Sequence, residues 1–206
     1  MKIELKKIEH SERLSEETEA FSADLYIDGK KVGTASNRGH GGPTDYGADS
    51  KEYQELIRKA EAYCETLPPQ KFTSGGEQYT IEMNLERYID DLLYDHLKEK
   101  DVQKFRKKAE RAMVKGFVIG VPDKEFVQIY FKVPLMEIYR QKGGDYLIGM
   151  VEKHVLPELK DGRILLNTNI PETVLKQAGL REGQYARPQL QETQRKAPAK
   201  GQRRKI

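Results

Sequence analysis

The sequence predicts an α+β fold: an N-terminal three-stranded antiparallel meander, followed by helices, a second β-hairpin and further helices. Three observations carry this. Apolar residues alternate with polar ones over 1–10 and 21–32, the period of half-buried strands. They recur at helical spacing over 51–67 and 81–113. Past residue 115, strand-like and helix-like stretches mix without the regular alternation of a doubly wound sheet.

Each element has its own signal. Ile3, Leu5 and, after a slip, Ile8 alternate with charged residues as a first strand. Residues 11–18, SERLSEET, read as a loop. Phe21, Ala23, Leu25 and Ile27 form a second strand, and Asp28-Gly29 supplies residues that tolerate positive φ at a tight turn. Val32 lies on the return strand. A helix follows, capped by Asp49 or Ser50, with Tyr53, Leu56, Ile57, Ala60 and Cys64 on one face. Pro68-Pro69 ends it, and 70–80 reads as a linker.

A long helical region covers 81–113. Leu85, Tyr88, Ile89, Leu92, Leu93, His96 and Leu97 make one stripe, with a break expected near Asp101. Residues 116–133 read as two strands around Pro122-Asp123-Lys124, the second apolar enough to be central. Short helices are expected from Pro134 and from Gly143-Gly144, then a strand over 163–170. The last helix has Pro171 in its first turn and Gly179 as its stop. The domain division expected is 1–69, a meander plus helix, and 70–186, a helical α+β region that either continues the first domain or stands apart. Residues 187–206 read as a disordered basic tail.

Composition narrows the function. The one cysteine, Cys64, excludes an intramolecular disulfide and a multi-cysteine metal site. No apolar run is long enough to span a bilayer and no leader peptide is visible, so the expectation is a soluble, cytoplasmic protein with no membrane partner. The net charge of +3 hides an asymmetry: residues 187–206 hold seven Lys/Arg against one acid. Such a tail points to an anionic partner.

Three patterns bear on chemistry. The first is SNRGHGGPTDYG, residues 36–47. Its glycines Gly39, Gly41 and Gly42 bring backbone amides close to a ligand, while Asn37, Arg38, His40, Asp45 and Tyr46 add polar tips. It lacks the Gly-Lys-Ser/Thr of a phosphate loop. The second is a basic stripe at helical spacing, Lys104, Lys108, Arg111 and Lys115, suited to a phosphate backbone. Arg203, Arg204 and Lys205 of the tail belong with it. The third is the acid pairs Glu86/Asp90 and Asp91/Asp95 beside His96, read as a solvated face with a buried or rim histidine. His154 reads the same way, and Cys64 as a core thiol. No Ser-His-Asp, zinc-protease or dinucleotide fingerprint occurs, so no catalytic residue, metal or cofactor is expected.

Two stretches, EETEAFSADLYIDGKKVGTASNRGHGG and GRILLNTNIPETVL, resemble segments of uncharacterised small proteins of bacteriophages and related mobile elements. That resemblance implies a mobile-element context and no particular activity. Locally, YIDGKKVG leading to SKEYQELIRKAEAY is similar to the second half of a double-stranded-RNA-binding domain, but only Lys51 stands at the helix start where that family is basic. The leading expectation is a non-enzymatic accessory protein that binds nucleic acid or a nucleic-acid-handling host or phage protein. The alternatives are a small enzyme or ligand sensor using 36–47, and a protein inhibitor of a host factor. Oligomeric state is not legible.

Overall fold

The computed structural model describes residues 1–188. The disorder expected of the tail, with Arg203, Arg204 and Lys205, therefore concerns residues outside those described, Arg187 and Pro188 excepted. The fold is α+β, and the chain divides into two compact units, Met1–Asp101 and Val102–Ile206. The division falls within a helix rather than near residue 70.

The first unit begins with a four-stranded antiparallel sheet in the order β1 (Ile3–His10), β2 (Phe21–Ile27), β3 (Lys30–Asn37), β4 (Asp45–Ala48). The slip in the alternation of β1 is a β-bulge: the register shifts between Lys6 and Glu9, and Lys7 has a φ of 51°. Asp28 and Gly29, at φ 48° and 81°, form the two-residue turn between β2 and β3. The chain start is pinned there, with the Asp28 amide donating to the Lys2 carbonyl at 2.7 Å and the Lys2 amide to Asp28 Oδ1 at 2.8 Å.

One face of β2 buries Phe21, Ala23, Leu25 and Ile27. Helix α1 (Lys51–Glu65) covers it with Ile57, Ala60 and Cys64. Each large side chain so buried contributes about 1.5–3 kcal/mol. Ser50 caps α1 by accepting the Tyr53 amide. The other face carries Asp24 between Lys31 (2.7 Å) and Lys7 (3.2 Å), and the hydrogen bond from Lys31 holds its carboxyl below the usual range. Cys64 is a core thiol, its pKa pushed up to about 11 by burial.

Three expectations for this unit change. The meander has a fourth strand, because Tyr46 and Gly47 pair with Ala35 and Thr34. Residues 70–81 are not a linker but a hairpin, β5 (Gln70–Ser74) and β6 (Glu77–Ile81), turned by Gly75-Gly76 at φ 60° and 89°. His96 is exposed, while Leu85, Ile89 and Leu93 alone among that stripe are fully buried.

Helix α2 runs without a break from Leu85 to Val114 and supplies residues to both units. Asp101 does not interrupt it, since a charged side chain leaves the backbone ladder intact.

The second unit is a small sheet in the order β8 (Glu125–Tyr130), β7 (Gly116–Val121), β9 (Ile164–Leu165). The first strand of the hairpin is therefore central, not the second. Phe117, Ile119 and Leu165 pack with Leu135, Leu147, Val151, Val174 and Leu175 from helices α3 (Leu135–Lys142), α4 (Gly144–His154) and α5 (Glu172–Gln177). On the opposite face Val118 and Leu166 pack against Ala109 and Met113 of α2. Pro134 starts α3 and Gly143, at φ 84°, separates α3 from α4. His154 is half-buried, its ring 6.4 Å edge-on from Phe131.

Only two residues of 163–170 form a strand, because a side chain takes over the pairing. Asn167, fully buried, accepts the Val118 amide at 2.7 Å and donates to the Gly116 carbonyl and Asn169 Oδ1, both at 3.0 Å. Asn167→Ala leaves buried backbone groups of β7 unpaired, so we expect a loss of about 2–4 kcal/mol of stability, measured by urea unfolding, with Asn167→Asp also destabilised at neutral pH.

Candidate functional site

The glycine-rich stretch is the connection between β3 and β4, and it is internally bonded. Asn37 spends its amide group on the fold: Oδ1 accepts the Gly39 amide (2.8 Å) and the Thr18 hydroxyl (2.9 Å), and Nδ2 donates to the Gly42 carbonyl (2.9 Å) and Thr44 Oγ1 (3.4 Å). The Gly39 carbonyl accepts the amides of Glu16, Glu17 and Thr18. The Gly41 amide donates to Thr18 Oγ1 at 3.3 Å. Gly39, at φ 91°, has the Leu14 carbonyl where a Cβ would sit.

The far end of the loop is held by acids. Glu86 accepts the Thr44 amide (3.2 Å) and Asp90 the Thr44 hydroxyl (2.6 Å). Asp91 accepts from Gln70 at 2.6 Å. Burial of the Asp90 carboxyl raises its pKa. The acids of α2 thus serve as loop clamps as well as a solvated face, and among the described residues no cluster of His, Cys, Asp and Glu could hold a metal ion.

Arg38, His40, Gly41, Gly42 and Asp45 face solvent. His40 Nδ1 lies 3.2 Å from Glu16. Tyr46 is half-buried, its hydroxyl donating to Glu61 at 2.9 Å, and burial first, then that bond, pushes its pKa up to about 12. The Gly39 and Gly41 amides that an anion would need are already bonded, and Glu16 and Glu17 stand beside them.

A nearby cluster escaped the sequence reading. His10 Nε2 lies 2.6 Å from Glu19 and 3.5 Å from the Ser15 hydroxyl. A nucleophilic triad needs the acid and the serine on opposite ring nitrogens. Here both meet Nε2, and the Ser15 hydroxyl donates to the Ser11 carbonyl at 2.9 Å. The cluster fastens the 11–20 segment, where the Ser11 amide also donates to the Ala20 carbonyl.

In the second unit, α2 turns Phe105, Ala109, Ala112 and Met113 towards the sheet. Lys104, Lys107, Lys108 and Arg111 are exposed, and helical spacing sets Lys104, Lys107 and Arg111 on the face away from that packed side. Lys115 follows the helix end and is exposed too. Lys107 was not singled out in the sequence, because the spacing rule picks one row while the exposed face is several rows wide. Lys108 lies over the Phe126 ring, 5.7 Å from its centroid, and Phe126 meets Phe105 edge-on at 5.4 Å. Neighbouring Arg106 is committed elsewhere, gripping Asp123 with bonds of 2.8 and 2.7 Å.

Charge is divided between the units. Residues 1–101 hold 14 Lys/Arg and 22 Asp/Glu, whereas residues 102–206 hold 22 and 11. A cleft of about 980 Å³ in the second unit is bordered by Asn169, Glu172, Tyr185 and Arg187. Its charged groups are paired: Glu172 with Tyr185 (2.9 Å) and Lys176 (3.0 Å), Arg187 with Glu182 (3.7 Å). Among the described residues no helix is long and apolar enough to cross a membrane. No protein-family model, curated protein or solved structure matches this chain.

The two kinds of residue in the β3–β4 connection separate experimentally. Asn37→Ala removes four hydrogen bonds and is expected to cost about 2 kcal/mol or more, whereas His40→Ala, at an exposed pair, stays within about 0.5 kcal/mol. Thermal unfolding of the two variants side by side checks this.

Proposed function

We propose that this protein binds nucleic acid through its second unit, with the exposed face of α2 following the phosphate backbone. The observation that carries this reading is the basic face itself, Lys104, Lys107, Lys108, Arg111 and Lys115, within a part of the chain that holds twice as many cations as anions. A helix packed by its opposite side on a sheet is a rigid rod, so its cations reach a polyanion without ordering a loop first. Neutralising phosphates releases condensed counterions, and that release drives association without regard to base sequence. Arg111 offers a planar fork for bidentate phosphate contact, and the lysines act as point charges.

The first unit, with its excess of acids, is repelled by the same polyanion. Binding is thereby confined to one part of the chain. Such a role suits an accessory protein of a bacteriophage or related mobile element, the context implied by the sequence resemblance, acting in the host cytoplasm.

The test is binding to duplex and single-stranded DNA across a salt series. For the parent, the logarithm of affinity is expected to fall with the logarithm of salt at a slope of roughly −3 to −5 on duplex. Combined Lys107→Glu, Lys108→Glu and Arg111→Glu should weaken binding at least tenfold for every sequence alike and flatten the slope by about three, with an unchanged circular dichroism spectrum. Equal binding by parent and triple variant removes α2 from the interface.

A further inference from the structure

Strand β8 is the open edge of the second unit's sheet. The Phe131 amide donates to the Lys115 carbonyl at 2.7 Å, so the alternation of an antiparallel ladder turns the amides and carbonyls of Phe126, Gln128 and Tyr130 away from β7. From Glu125 to Tyr130 the pairing with β7 is regular, without bulge or proline. Two other sheet edges among the described residues are guarded. The outer edge of β1 is broken by its bulge at Lys7, and the far side of β9 is taken by Gln184–Ala186, whose backbone bonds to Leu165 at 2.9 and 2.8 Å.

Exposed apolar side chains gather along this edge: Val127 at 45%, Tyr130 at 59% and Val133 at 42% exposure. The charge around it is positive. Lys124 and Lys132 stand exposed at its two ends, and Lys108 overhangs Phe126. The acids nearby are engaged, Asp123 by Arg106 and Glu125 by Arg163 at 3.6 Å.

We propose that β8 is a docking edge for a partner protein, which adds an extended strand of alternating acidic and apolar residues beside Glu125–Tyr130. Main-chain bonds from Phe126, Gln128 and Tyr130 supply the affinity common to any added strand. Val127 receives the apolar positions, while on the other face, which Tyr130 shares, Lys124, Lys132 and Lys108 select acids. A second copy of β8 brings one acid, Glu125, and sets it on the face away from Lys124 and Lys132. In its two fullest antiparallel overlaps, Lys124 falls opposite either Tyr130 or Lys132 of the other copy. The inference stands apart from the nucleic-acid reading, since it uses the sheet edge and shares only Lys108 with the exposed face of the helix.

The experiment titrates the full chain into a fluorescent, end-capped peptide of alternating Glu and Val, with a Lys/Val peptide as control. Two variants accompany the parent. Gln128→Pro deletes an outward amide and spares every bond to β7. Lys124→Glu with Lys132→Glu reverses the end charges. Saturable binding of the Glu/Val peptide is expected, weakened about tenfold or more in each variant, together with slowed hydrogen exchange at Phe126, Gln128 and Tyr130. The Lys/Val peptide is expected not to bind the parent. If Gln128→Pro fails to fold by circular dichroism, the charge-reversed variant decides. No saturable binding, equal binding of both peptides, or parent-like affinity in the charge-reversed variant overturns the proposal. So does a dimer in light scattering that Gln128→Pro abolishes, which gives the edge to a second copy. Loss of DNA affinity in these variants with peptide binding intact gives it to nucleic acid and overturns the proposal equally.

Discussion

The second unit depends on the burial of β7 on both faces. Phe117, Val118 and Ile119 are each fully buried, so the strand cannot lie on a sheet with one wet side. One face demands α3, α4 and α5, and the other demands the end of α2. A single helix covering a face must be apolar on one side and polar on the other, so the side that turns away from β7 is where Lys104, Lys107 and Arg111 collect. With only three strands, β7 has β9 on one side and β8 on the other, and β8 is left with backbone groups facing outward. The basic face and the open edge are both consequences of hiding one apolar strand in a small sheet.

The first unit shows how the polar residues of a loop are spent on its own fold. Glycines, an asparagine, a threonine and carboxylates within a few residues are what a ligand-binding loop needs, and also what a loop needs to satisfy its own backbone. Asn37 bonds to Gly39, Thr18, Gly42 and Thr44, and Glu86 and Asp90 secure Thr44. These partners lie far apart in sequence, so no local pattern announces that the polar capacity is spent. The same holds for His10, Ser15 and Glu19, which have the right elements for catalysis and the wrong attachment to the ring.

Much of the architecture was legible where local chemistry decides it. The Asp28-Gly29 turn, the slip before Ile8, the α1 cap, Pro134, Gly143 and Gly179 each mark a real boundary or irregularity. The misses arise where pairing is decided at a distance. Asp45–Ala48 is too short to alternate visibly and exists through its register with β3. Gly75-Gly76 reads as slack in one dimension and is a hairpin turn in three. Apolar content misjudged β7 and β8, because an edge strand can carry as many apolar residues as a central one, with Val127 and Tyr130 left exposed. The cations of α2 were visible as one row, and their full extent followed only from knowing which side is packed.

Helix α2 has a consequence for cooperativity. Its first half completes the core that contains Leu25 and Ile57, and its second half completes the one that contains Val118 and Leu166. Either half alone is near the length at which a helix in water is marginal, about 12–15 residues. Melting one core therefore strands half a helix that has lost its support, and the fraying propagates along a continuous ladder into the other. The two units share a backbone element as partners share a beam, so they are expected to unfold in a single transition rather than as independent domains.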